Sequence, residues 1–360
     1  MQDTIVSFVG VTKTYDGQTV VVDDLNLQVA RGEFLTLLGS SGSGKTTSLM
    51  MVAGFEVPTS GEILLDGRPV TRVPPYKRNL GVVFQNYALF PHMTVGQNLA
   101  FPLEARKLPK ADIARKIERT LDVVRLKGYA DRKVTQLSGG QQQRIALARA
   151  LIFDPSLVVM DEPLAALDRQ LREALQYEIK RIHKELGISV IYVTHDQGEA
   201  LTMSDRIAVM EKGRVEQVAA PSDLYEQPAT AFVAGFVGEN NMFKARVISA
   251  QDGGCVLGAA WGEVRALSVD VAGDGDAVCS VRPERILIEP NSADVENIVD
   301  VQIQDVVYLG DQARIHMRAA NDAALVAKVP NNFDMRKLAV DERLKIGWRA
   351  ADCRAFKALH

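Results

Sequence analysis

The residues Gly39-Ser40-Ser41-Gly42-Ser43-Gly44-Lys45-Thr46 fit the pattern G-x-x-x-x-G-K-[ST]. Glycines at these spacings allow a loop tight enough for its backbone N–H groups to converge on one point, which is what holding a phosphate requires. Lys45 adds an ammonium able to reach β- and γ-phosphates, and the Thr46 hydroxyl is a hard oxygen donor suited to Mg²⁺. The context agrees with the pattern. The apolar run Glu33–Leu38 ends at the loop, and Thr47–Val52 continues as a helix. Ser40, Gly42, Gly44, Lys45, Thr46 and Thr47 are therefore the expected contacts of a bound nucleotide.

A second group of chemical residues follows at Leu157-Val158-Val159-Met160-Asp161-Glu162, an apolar strand ending in two carboxylates. Taken alone, an acidic pair after a strand is most often a helix cap. Beside a phosphate loop it reads differently: Asp161, at the sheet's carboxyl edge, can hold Mg²⁺, and Glu162, pointing elsewhere, can polarise an attacking water as general base. Leu137-Ser138-Gly139-Gly140-Gln141 precedes the helical stretch Gln142–Phe153. Ser138 is a natural N-cap, and two glycines leave the amide groups of the helix start uncovered, which makes a second anion site. Ser-Gly-Gly also forms ordinary turns, so this segment gains its force from the phosphate loop in the same chain.

These residues need a scaffold, and its pattern is visible. Leu80–Phe84, Leu157–Met160 and Ser189–Val193, like Glu33–Leu38, are apolar on consecutive positions, as strands buried on both faces of a mainly parallel sheet are. Helical segments alternate with them. Ala111–Lys127 carries Ile113, Ile117, Leu121 and Val124 on one stripe, and Leu167–Leu186 is a second helix. The alternation predicts an α/β fold with ligands at the carboxyl ends of the strands. Ile5–Val9 and Thr19–Val29 read as antiparallel strands flanking it. From about Asn240 the texture changes to short alternating runs (Lys244–Ser249, Asp276–Val281, Val299–Val307, Ala313–Met317) between Gly- and Asp-rich turns, which predicts a small all-β domain. The expected division is 1–238, including a linker from about Ala219 punctuated by Pro221 and Pro228, and 239–360. A chain of 360 residues is long enough for two or three domains.

Composition narrows the function classes. Lys plus Arg is 42 and Asp plus Glu is 45, a net charge of −3, against the basic excess expected of a nucleic-acid binder. No apolar stretch approaches the roughly 18 residues that span a bilayer, and the N-terminus shows no basic region followed by an apolar run. Cys255, Cys279 and Cys353 have no metal-ligand spacing and read as reduced, buried thiols.

Taken in order, these motifs resemble the ATP-binding subunit of ABC (ATP-binding cassette) transporters, in which LSGGQ is the family signature. The resemblance runs from about residue 5 to 240. It implies an ATPase with ATP and Mg²⁺ as ligands, built from a P-loop domain with antiparallel β and helical subdomains. It also assigns roles that the residues alone would not claim. Tyr15 matches the aromatic that stacks on adenine, and Gln85 the glutamine that contacts Mg²⁺ and the attacking water and senses the membrane partner. Asp168 lies in the loop that crosses a dimer interface, and His195 matches the histidine at the γ-phosphate. Without the family, His195 would more often be a structural residue, Tyr15 packing, and Gln85 an ordinary loop amide. Ala165 stands where relatives often carry serine, which removes a hydroxyl contact across that interface. The resemblance further implies a head-to-tail homodimer, with Ser138, Gly139, Gly140 and Gln141 of one chain closing on the nucleotide held by the other.

The tail resembles the OB-like TOBE module of ABC importers, through Val281-Arg282-Pro283-Glu284-Arg285-Ile286 and the lead-in Pro221–Glu239. Its few aromatics, not set among Lys and Arg clusters, speak against nucleic acid as a partner. Tyr87–Leu103 and Gly238–Asn241 are most similar to polyamine (spermidine/putrescine)-type importers; ferric iron, sugars or glycerol phosphates, and sulfate or other anions are the alternatives. Tyr87–Thr94 is expected to line the groove for a permease's coupling helix. The implied partners are integral membrane permease subunits and, indirectly, a solute-binding protein. The implied location is the cytoplasmic face of a bacterial inner membrane. The rival of another class is a soluble ABC ATPase with no membrane partner. The DNA-repair kind carries a long coiled coil between its motifs, and the ribosomal kind a second phosphate loop; neither is in this sequence.

Overall fold

The computed structural model describes residues 3–251, 253–271, 273–334 and 338–358. Packing divides the chain into two compact units, Met1–Leu224 and Tyr225–His360.

The first unit opens with β1 (Thr4–Thr14) and β2 (Val20–Ala30), then β3 (Phe34–Gly39), which runs into helix α1 (Lys45–Ala53). Strands β4 (Ser60–Leu65) and β5 (Arg68–Pro69) join the first two in an antiparallel sheet of order β2-β1-β4-β5. There follow β6 (Gly81–Val83), α2 (Val95–Ala105), α3 (Lys110–Val123), α4 (Gly139–Leu151), β7 (Leu157–Asp161), α5 (Arg169–Leu186), β8 (Ser189–Thr194), α6 (Gln197–Met203), β9 (Arg206–Glu211) and β10 (Arg214–Ala219). The larger sheet has the order β10-β9-β3-β8-β7-β6 and is parallel throughout except for β10 on β9.

The consecutive apolar residues of the inner strands have a direct cause. Along β7, Val158 and Met160 face the core shared with the helices, whereas Leu157 and Val159 face the core under the antiparallel sheet. Val190 and Tyr192 against Ile191 and Val193 repeat this division on β8. A strand with a core on each side has no solvent face, so its period-2 alternation disappears. The stripe on α3 behaves as its spacing predicts: Ile113 and Leu121 are buried and Ile117 packs against the same core. The helix stops at Val123 rather than Lys127, because Arg125 turns to φ +56° and the Leu126 amide donates back to the Leu121 carbonyl, burying Leu126.

The second unit is antiparallel apart from one strand pair. After α7 (Pro221–Glu226) and α8 (Ala231–Phe236) come β11 (Asn241–Gln251), β12 (Gly254–Ala259), β13 (Gly262–Ser268), β14 (Asp276–Val281), β15 (Leu287–Ile288), β16 (Asn297–Tyr308), β17 (Gln312–Arg318), β18 (Ala324–Pro330), β19 (Arg343–Trp348) and β20 (Cys353–Lys357). A closed barrel forms in the order β11-β12-β13-β20-β14, and β15-β19-β16-β17-β18 make a second sheet. Closure depends on β20, which pairs in parallel with β13 and antiparallel with β14. The barrel expected from the tail is therefore accompanied by a five-stranded sheet that shares its core. Cys255, Cys279 and Cys353 are free and buried there.

The division at 224/225 lies upstream of the one expected at 238/239. The buried Arg282 guanidinium supplies the reason: it donates to the carbonyls of Tyr225, Ala234, Val237 and Glu239, tying that stretch to the end of β14. Among the described residues, no helix is long and apolar enough to cross a membrane.

Candidate nucleotide site

Parallel pairing of β3, β8, β7 and β6 brings their carboxyl ends to one sheet edge, from which the phosphate loop and the segments carrying Gln85, Asp161–Glu162 and His195 leave. The phosphate loop leaves β3. Gly39 has no room for a side chain, since a Cβ there would lie 2.4 Å from the Met210 carbonyl oxygen. Gly44 combines φ +93° with the same crowding, 2.6 Å from the Val21 carbonyl oxygen. Only glycine satisfies both conditions. Gly44 is also the N-cap of α1, and no side chain caps that helix. Its first amides remain available to an anion, and the helix dipole favours one there.

Lys45 is buried, and its ammonium donates to the carbonyls of Gly39 (2.9 Å) and Ser40 (2.7 Å) and to Ser43 Oγ (3.3 Å). Burial pulls its pKa down, while the charges of Glu162 and Asp161 oppose that shift. Thr46 Oγ1 donates to Asp161 Oδ1 at 2.9 Å, joining the ends of β3 and β7. Burial pushes the Asp161 carboxyl up, with the Thr46 hydrogen bond and Lys45 pulling the other way. Two hard oxygen donors side by side, one a carboxylate whose desolvation is only partly offset, suit a small divalent cation.

Glu162 sits one residue further on, at φ +41°, a left-handed conformation that costs a non-glycine residue free energy. Its amide is held by the Val193 carbonyl of β8 at 3.0 Å. The turn brings its carboxylate to His195, whose Nδ1 lies 3.1 Å from Glu162 Oε2. Lys45, Thr46, Asp161, Glu162 and His195 thus form one cluster.

Other expected residues lie apart from it. Gln85 follows β6, exposed and with no side-chain hydrogen bond among the described residues. Tyr15 is exposed, with the Lys13 ammonium 4.8 Å from its ring centroid, and the turn after it is fixed by Asp16, whose carboxylate accepts from Gln18 N, Thr19 N and Thr19 Oγ1. Those bonds hold the Asp16 carboxyl down at about 2. Ser40, Gly42 and Thr47 belong to the phosphate loop and the first turn of α1. Asp168 caps α5 through Leu171 N.

The signature segment forms a capping box. Ser138 Oγ accepts from Gln141 N, and Gln141 Oε1 accepts from Ser138 N, so the helix begins at Gly139 instead of the expected Gln142. Gly140 is buried beneath Leu171, whose Cδ1 would lie 2.8 Å from a Cβ there. No hydrogen bond or ion pair links Ser138, Gly139, Gly140, Gln141 or Asp168 to the Lys45 cluster among the described residues.

Sequence reasoning passed over Arg149. This α4 residue donates to the carbonyls of Ala88 (2.8 Å) and Tyr87 (3.0 Å), both in left-handed conformation just after Gln85. Its only sequence signal was an arginine set among the apolar residues Ile145–Leu151 of the helix.

The ABC transporter family profile matches residues 22–165 and the TOBE domain profile residues 279–356. The chain is 46% identical to the spermidine/putrescine import ATP-binding protein PotA of Rubrobacter xylanophilus over 95% of its own length and 91% of the relative's. With the putrescine transport ATP-binding protein PotG of Escherichia coli it shares 42% identity over 95% and 92% of the two chains. Among solved structures, cbiO1 of Clostridium perfringens, part of the ABC transporter complex cbiONQ, superposes with a TM-score of 0.58 at 30% identity, over 62% of this chain and 91% of that one. The bacterial ABC transporter cassette MJ0796, solved as a dimer, superposes at 0.54 and 32% identity, over 60% and 99%. Motifs, fold and relatives agree: the chain belongs to the ATP-binding proteins of ABC transporters, in the group that includes the spermidine/putrescine import proteins.

Proposed function

We propose that this chain is the ATP-hydrolysing subunit of a membrane importer for polyamines and works as a head-to-tail homodimer on the cytoplasmic face of a bacterial inner membrane. The observation that carries the reading is the Glu162–His195 pair at 3.1 Å, on the same edge as Lys45 and the Thr46–Asp161 contact. ATP lays its phosphates on the loop from Ser40 to Thr47, and its adenine against Tyr15. Lys45 exchanges its three bonds within the loop for phosphate oxygens. Thr46 and Asp161, with Gln85 reaching in from β6, would hold Mg²⁺, which when bound neutralises phosphate charge. Glu162 accepts the proton of the attacking water. His195 orients Glu162 and contacts the γ-phosphate.

The second half of the site comes from a second copy. Each chain carries one phosphate loop and one signature, and the two are not joined within it. Ser138, Gly139, Gly140 and Gln141 therefore close on the nucleotide of the facing protomer, with Asp168 at the interface, and MJ0796 supplies a dimeric precedent. ATP is then a dimerising ligand, and loss of its γ-phosphate lets the halves part. That motion drives permease subunits, with Tyr87–Thr94 receiving the permease's coupling helix and Arg149 holding the start of that segment. The functional division we assign is 1–238 for the ATPase with its linker and 239–360 for the OB-like module.

Lys45→Met should weaken binding of a non-hydrolysable ATP analogue by about 10- to 100-fold, since hydrogen bonds to charged groups contribute about 1.5–3 kcal/mol. Calorimetric titration measures it, and unchanged affinity would remove Lys45 from the phosphate site. The importer reading is tested by purifying the chain with its accompanying permease, reconstituting both in vesicles, and adding solute-loaded binding proteins. ATPase stimulation only by the spermidine- or putrescine-loaded receptor supports it. Stimulation by an iron, sugar or sulfate receptor replaces the solute, and absence of any accompanying membrane protein favours a soluble ABC ATPase.

A further inference from the structure

Arg172, in the first turn of α5, is placed where three segments of the site meet. Its Nη2 donates to the Leu167 carbonyl at 3.0 Å, and its own amide donates to the Asp168 carbonyl at 2.9 Å. Its Nη1 pairs with Asp196 Oδ2 at 3.0 Å. One guanidinium therefore grips both the loop ending in Asp168 and the residue directly after His195. The fork of a guanidinium can make two such contacts in fixed relative geometry, which a lysine ammonium cannot.

The far side of His195 is just as firmly built. Asp196 caps α6 by accepting from Glu199 N, and its own amide donates to Thr194 Oγ1 at 2.9 Å. Thr194 Oγ1 and Tyr192 OH both donate to Glu199 Oε2 at 2.8 Å, and all three residues are buried. His195 thus hangs between two anchored neighbours while its own ring stays exposed. One bond in the network is unmade: Arg172 Nε is buried, has no hydrogen-bond partner, and lies 3.8 Å from Glu199 Oε1. A movement of about 1 Å would bring it into hydrogen-bond range.

We infer that Arg172 is a positioning residue that couples the Asp168 loop to His195, so that seating of that loop at the dimer interface sets the His195–Glu162 pair. The inference rests on the proposed ATPase site and extends it. Arg172 is not one of the residues assigned to the nucleotide or the attacking water; it acts through His195.

The test is a double-mutant cycle on the full-length chain, reading kcat and KM for ATP. Arg172→Ala should lower kcat by about 10- to 100-fold, the scale of a misplaced catalytic group, with KM for ATP changed less than about twofold. In a His195→Ala background the same substitution should change kcat by less than about twofold, because the group it positions is gone. Arg172→Lys, which keeps the charge and one of the two contacts, should fall between wild type and Arg172→Ala. It also carries the cycle if the alanine variant does not fold, paired with Asp196→Asn, which retains a capping side chain. A merely structural arginine would add its loss to that of His195→Ala; multiplicative effects, or wild-type kcat in Arg172→Ala or Arg172→Lys, overturn the coupling. If His195→Ala acts and Arg172 acts independently of it, only the coupling fails. If the wild-type chain hydrolyses no ATP, or His195→Ala leaves turnover intact, the proposed site and the inference fall together.

Discussion

Glu162→Gln is expected to lower kcat by about 10²- to 10⁴-fold, the usual contribution of a positioned general base, which corresponds to about 3–5 kcal/mol of barrier. The substitution keeps the side chain's shape, so the left-handed turn at φ +41° and the amide bond to Val193 remain. What it removes is basicity and one negative charge. That charge faces Lys45 and Asp161, where it opposes the loss of the lysine's proton and raises the aspartate's pKa. Taking it away reduces the repulsion felt by an arriving triphosphate, so ATP should bind more tightly while turnover slows, and the ATP-bound dimer should accumulate. Single-turnover hydrolysis and size-exclusion chromatography with ATP measure the two halves of this result. A wild-type hydrolysis rate would mean that Glu162 is not the base, whatever its geometry.

The second large effect lies far from the chemistry. Trp348→Ala should destabilise the second unit by about 3–5 kcal/mol, the cost of a large cavity in a closely packed core. Trp348 is fully buried on β19, directly across from Asn297 on β16, in the core common to the barrel and its accompanying sheet. Phe243, 6.3 Å away between ring centroids, cannot follow it into the space, because it is pinned against Trp261 at 4.7 Å. Trp348→Phe should cost much less than the alanine change. It keeps most of the packing and removes an indole N–H that is buried without a partner. Both tryptophans of the chain lie in this unit, so urea unfolding followed through Trp261 fluorescence reports on it specifically. Equal stability of wild type and Trp348→Ala would show that the core relaxes around the missing ring.

The segments that carry the proposed site were legible in the sequence wherever they are contiguous. Gly39–Thr46 could be read as the passage from a strand to a helix from its glycines at 39, 42 and 44, and the crowding at Gly39 and the backbone at Gly44 show why two of them are glycine. The inner strands could be recognised by their unbroken apolar runs, and the α3 stripe by its spacing. Boundaries were less legible. Helix α4 begins three residues before its expected start because a capping box rescues two glycines, and α3 ends early because burying Leu126 outweighs another helical turn. Strands β9 and β20 had no legible signal because their partners are remote in the chain: β9 pairs with β3, and β20 meets β13 and β14 only after the second sheet has been built.

What the sequence determined alone was therefore the local grammar: the phosphate loop, the paired carboxylates, the capped signature helix, and the switch from parallel to antiparallel texture. Propensity, glycine sterics and side-chain period act over a few residues and need no tertiary partner. Only the folded chain decided that Thr46 meets Asp161, that Glu162 turns to His195, and that single guanidinium groups at Arg149, Arg172 and Arg282 tie together segments far apart in sequence. Each of those contacts depends on which strands lie side by side. That order comes from burying two cores on one sheet, a long-range term that no window of sequence contains.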